Sequence, residues 1–94
     1  MKRAIAYDAA EFLETDEDIV AYLNAALGDE DPSLVSAALG DIARARGMTQ
    51  LAKDAGVTRD GLYKALSPSG NPSFSTVQKV VKALGYKIDV VLPA

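Results

Sequence analysis

Arg59, Asp60, Tyr63 and Lys64 fall within one short stretch of the chain, and their side chains suit the reading of base edges. A guanidinium matches the O6 and N7 acceptors of guanine, and a carboxylate accepts from cytosine N4. An ammonium suits a phosphate, and a phenol suits a phosphate or a thymine methyl. Catalysis lacks its usual agents. The chain holds neither histidine nor cysteine, which removes the commonest general base and the best thiol nucleophile. Its thirteen acidic residues supply carboxylates, but none stands in a recognisable catalytic motif. The expectation is a protein that is not an enzyme, with no metal site and no cofactor.

Those four residues need a rigid mount, and residues 49–66 predict one: two short helices, 49–55 and 59–66, joined by Gly56-Val57-Thr58. Ala52 is small enough for two helices to approach closely. Gly56 adopts the left-handed backbone of a tight turn without steric cost. Val57 plugs the angle between the helices, and the Thr58 hydroxyl caps the second. Leu51, Ala55, Leu62 and Ala65 fall on faces that meet the core. Thr49, Gln50, Thr58, Arg59, Asp60, Gly61, Tyr63, Lys64 and Ser67 are left outward as the candidate DNA-binding set. Gly61 costs about 1 kcal/mol against alanine in a helix, and its bare backbone reads as room for close approach to DNA. A helical hairpin with a glycine turn is a weak signal alone. The alanine, valine, threonine and apolar positions around this one make it specific.

The remaining elements predict one domain over 1–94, mainly all-α. Ala4–Tyr7 reads as a short strand, and Asp8 as the cap of a helical turn through Phe12 and Leu13. Asp16 precedes a helix with Ile19, Val20, Leu23 and Leu27 on one face, ending at Gly28, so that 8–28 is an acidic helical segment. Asp31-Pro32 caps and opens another helix. Its Val35, Ala38, Leu39, Ile42 and Ala43 repeat at helical spacing as far as Gly47. Residues 67–72 are a loop by composition. Ser73 caps a fifth helix whose Phe74, Val77, Val80, Val81 and Leu84 face inward before Gly85. Tyr86, Ile88, Val90 and Leu92 then alternate as a short strand over 86–92.

The net charge of −3 hides a division along the chain. Residues 1–47 carry four bases and ten acids, and residues 48–94 carry six bases and three acids, giving −6 and +3. One surface for phosphates and another turned away from them is the reading this favours over two merely solvated faces. No apolar run approaches the ~20 residues of a membrane span, and the start lacks a secretory signal's apolar stretch. A cytoplasmic protein is expected. A lone strand in a helical domain must find a partner for its backbone groups. The candidates are the Ala4–Tyr7 segment, the same strand of a second subunit, or another protein, and the favoured one is a homodimer with Tyr86, Ile88, Val90 and Leu92 at or near its interface.

At residues 49–66 the chain resembles the Xre/Cro-like helix-turn-helix family, and more closely the addiction-module antidote proteins of the HigA type. The resemblance runs through 18–27 (DIVAYLNAAL), 37–48 (AALGDIARARGM), 61–67 (GLYKALS) and 70–72 (GNP). It implies a five-helix DNA-binding domain that binds operator DNA, represses its own operon and neutralises a small RelE/ParE-like ribonuclease toxin. The acids Asp16, Glu17, Asp18, Asp29, Glu30 and Asp31 are candidates for contact with a basic toxin. One departure stands out. Many Xre-like domains place a phosphate-touching glutamine three residues before the leucine of the first motif helix. Here that slot is Met48, while Gln50 adjoins Leu51. Two other readings are a stand-alone phage-type repressor and a protein-interaction module without DNA binding.

Overall fold

A computed structural model describes residues 13–94, and these form five helices. They are α1 (Asp16–Leu27), α2 (Ser33–Arg46), α3 (Met48–Ala55), α4 (Arg59–Ala65) and α5 (Phe74–Ala83). The expected strand Ala4–Tyr7 and the turn from Asp8 through Phe12 lie outside the described residues.

Local side-chain hydrogen bonds mark the starts of α1, α2 and α5. Thr15, not Asp16, caps α1: its hydroxyl accepts from the Asp18 N–H, and the Asp18 carboxylate accepts from the Thr15 N–H at 3.4 Å, a long return arm. Asp16, Glu17 and Asp18 then occupy the first turn, where the helix dipole favours negative charge. At α2 the Asp31 carboxylate accepts from both the N–H and the hydroxyl of Ser33, at 3.0 and 2.8 Å. Those two bonds hold its carboxyl below the ordinary carboxylate range. Ser73 caps α5 by accepting from the Thr76 N–H.

Two helix ends share one device. Gly56 has φ +73°, its N–H reaches the Lys53 carbonyl, and the next N–H, that of Val57, reaches the Ala52 carbonyl. Gly85 has φ +95°, with its N–H on Lys82 and the Tyr86 N–H on Val81. This double bond around a left-handed residue is the Schellman arrangement, and glycine takes it without a Cβ penalty.

The core is built from the predicted faces of all five helices. Leu39, Ile42, Leu51, Leu62, Leu66 and Val80 are fully buried, with Ile19 and Leu23 of α1 and Leu13 ahead of it packed around them. Each such side chain contributes about 1.5–3 kcal/mol by leaving water. Helix α1 packs on α2, α2 on α3, and α3 on both α4 and α5. Gly40 lets α2 approach the end of α4: a Cβ there would lie 2.7 Å from the Leu66 carbonyl oxygen.

Three apolar residues predicted to face inward do not. Val20, Leu27 and Phe74 are exposed, Phe74 by 64 %. Periodicity assigned them to an apolar face, but the neighbouring helices cover only the middle of that face. The C-terminal strand is also corrected. Residues 86–92 pair with no other segment among the described residues, and Val90, Val91 and Leu92 stand almost fully in solvent. A strand exists only with a partner backbone, and the described residues offer none there.

Candidate nucleic-acid interface

Three small residues set how α4 sits on α3. Ala52 is buried, Gly56 turns the chain, and Val57 packs half-buried against the core. Leu51, Ala55 and Leu62 point inward as the sequence predicts, and Ala65 is half-buried. The Thr58 side chain accepts from the Gly61 N–H at 3.0 Å, fixing the first turn of α4. The turn and both helix ends are therefore held by four hydrogen bonds within residues 52–62: Val57 to Ala52, Gly56 to Lys53, Gly61 to Thr58 and Leu62 to Thr58.

Arg59, Asp60, Tyr63 and Lys64 all lie exposed on α4. None of their side chains hydrogen-bonds or ion-pairs with another described residue. Exposed charged side chains need no partner, since water serves them. Four on one seven-residue helix nonetheless leave a guanidinium, a carboxylate, a phenol and an ammonium available to a ligand. Thr49 is exposed at the start of α3 in the same condition.

Two other predicted contacts are already engaged. The Gln50 side-chain amide donates to the Asp54 carboxylate at 2.9 Å, one turn along α3, so a phosphate would have to displace it beside a negative charge. The Ser67 hydroxyl donates to the Lys64 carbonyl at 2.8 Å and closes the end of α4. Gly61 has a local reason for being glycine that the sequence does not show: a Cβ there would lie 2.8 Å from the Thr58 Oγ1 that accepts its N–H.

The acidic candidates divide in the same way. Asp16 accepts from the Tyr86 hydroxyl at 2.7 Å, Asp18 completes the cap of α1, Asp29 accepts from the Asp31 N–H, and Asp31 holds Ser33. Four of the six thus hold their own chain. Glu17 and Glu30 remain exposed without a side-chain hydrogen bond among the described residues.

Tyr86 is a connection the sequence did not disclose. It packs half-buried on the core, and its hydroxyl joins the start of α1 to the segment after α5. Burial, and then the Asp16 carboxylate, raise its phenol above the usual tyrosine range, against the opposing pull of Arg46. Ile88, Val90 and Leu92, the other interface candidates, are exposed. No group of three or more metal-type side chains occurs among the described residues. No helix among them is long and apolar enough to cross a membrane.

Comparison with known proteins places this geometry in a family. The family model described as "Probable addiction module antidote protein" matches residues 3–92. An uncharacterized protein of Haemophilus influenzae is 55 % identical over 84 residues, covering 89 % of this chain and 87 % of its own length. No solved structure matches.

Proposed function

This chain belongs to the family of probable addiction module antidote proteins, and on that premise we propose that it is a DNA-binding antitoxin that represses its own operon. An antidote implies a cognate toxin. The toxin in this reading is a small basic ribonuclease-like protein of the RelE/ParE kind, and the working form is a homodimer in the cytoplasm. Helix α4 is the recognition helix of a helix-turn-helix, with α3 lying across the backbone ahead of it.

The observation that carries the reading is the outer face of α4. Arg59, Asp60, Tyr63 and Lys64 are exposed and unengaged among the described residues, on a helix whose turn and cap are fixed by hydrogen bonds. Pre-set geometry matters because base reading depends on paired donors arriving together. Arg59 takes a guanine or a phosphate, Asp60 a cytosine amine, and Lys64 and Thr49 the phosphate backbone. Gln50 is a weaker candidate because Asp54 already holds it. Twofold symmetry would present two α4 helices to half-sites about one helical turn apart.

The test is titration of the protein onto its own upstream DNA at two salt concentrations. Wild type is expected to prefer that DNA and to weaken with salt. Arg59→Ala should cost about 1–3 kcal/mol and relax specificity, whereas Lys64→Ala should weaken all sequences alike and lower the salt slope by about one. Absence of sequence preference at low salt would overturn self-repression and leave a toxin-binding module.

A further inference from the structure

An apolar groove of about 280 Å³ opens between α1, α2, α5 and the loop before α5. Leu23, Leu27, Val35, Phe74, Val77 and Val81 line it. At about 30 Å³ per water it has room for roughly nine, far more than a packing defect. Exposed Leu27 and Phe74 stand in its wall. Ile88 lines it as well, and the residues just beyond, Val90, Val91 and Leu92, are exposed.

That exposed segment is as apolar as the groove. Val90, Val91 and Leu92 are 91, 78 and 92 % exposed. Backbone groups of residues 87–92 bond to no other backbone among the described residues. Isolated exposed apolar residues need no explanation, but a contiguous run beside an unfilled apolar groove marks an interaction surface.

We propose that the C-terminal segment of one copy fills the groove of a second copy, and that the second copy returns the exchange. This rests on the homodimer reading above and names its contact. Three aliphatic side chains carry roughly 100 Å² each. With the groove wall they cover, one insertion buries about 400–450 Å² and the reciprocal pair about 800–900 Å², the size of a weak, concentration-dependent interface. The exchange is isologous: the same groove and segment on both copies, so it closes at two and does not polymerise.

The chain has no cysteine, so introduced thiols report without background. Chains carrying Leu27→Cys and chains carrying Leu92→Cys are mixed and oxidised, and the masses of wild type and of Val90→Asp/Leu92→Asp are measured by light scattering. Expected are a wild-type dimer, a monomeric double variant, and crosslinks predominantly between Leu27→Cys and Leu92→Cys chains. Predominant crosslinking between two Leu92→Cys chains would mean strand-to-strand pairing: the dimer stands and groove filling falls. A single chain carrying both thiols that closes on itself at monomer mass overturns the exchange. A wild type monomeric throughout the micromolar range overturns the dimer as well.

Discussion

Gly61 shows how one residue carries two constraints at once. In the sequence it is a helix breaker on an exposed face, explicable by approach to DNA. In the structure its N–H supplies the hydrogen bond that the Thr58 cap accepts, and a Cβ would press on that same oxygen. Alanine gains about 1 kcal/mol of helix propensity, while losing the cap costs about 1 kcal/mol. The two effects nearly cancel in wild type, so the single substitution is a poor probe. A double-mutant cycle separates them. Gly61→Ala is expected to be close to neutral with Thr58 present and stabilising by about 1 kcal/mol in a Thr58→Ala background, read from urea unfolding. Equal effects in both backgrounds would show that the cap oxygen tolerates the methyl, and the glycine would then need a reason outside the subunit.

At the scale of elements, the energetic ties are few and local, with one exception. Tyr86 spans seventy positions to reach Asp16, joining the first helix to the segment after the last. The bond is solvent-facing, so its net worth lies at the low end of the range for hydrogen bonds, about 0.5 kcal/mol. The phenol must be protonated to donate, and its raised pKa fixes the sign. The contribution is complete below about pH 10, the ordinary tyrosine value, and is lost as pH rises through the higher folded value. Tyr86→Phe should therefore be slightly less stable than wild type at pH 7, and the gap should close above that value in paired urea titrations. The helices themselves were legible because their signals are local: capping residues, a glycine needing positive φ, and apolar spacing. In the turn 56–58 the left-handed Gly56, the half-buried Val57 and the capping Thr58 each follow from residue type. What escaped depended on distant chain. Val20, Leu27 and Phe74 follow the helical period, but their exposure depends on how far neighbouring helices extend. The pattern at 86–92 is that of a strand, yet alternation specifies a face and not a partner.

For the whole molecule, the division of charge becomes a question of whether two ligands compete. Glu17 and Glu30, unengaged among the described residues, belong to α1 and the turn after it, and Arg59 and Lys64, in the same condition, belong to α4. Helix α1 packs on α2, whereas α4 packs on α3. Separate mounts predict separable effects. Charge reversal of Glu17 and Glu30 should weaken binding to the proposed basic toxin, measured calorimetrically, most clearly at low salt where exposed charges act over about 10 Å or more. The same variant should keep the salt slope of DNA binding, because that slope counts phosphates neutralised at the other surface. Arg59→Ala/Lys64→Ala should do the reverse. Reversing Glu17 also removes a favourable charge from the first turn of α1, about 0.3–1 kcal/mol, and the other substitutions shift stability by no more than about 0.5 kcal/mol, so misfolding does not mimic either result. If reversing the acids lowered DNA affinity as much as it lowered toxin affinity, the two surfaces would be coupled, and toxin occupancy would itself alter repression.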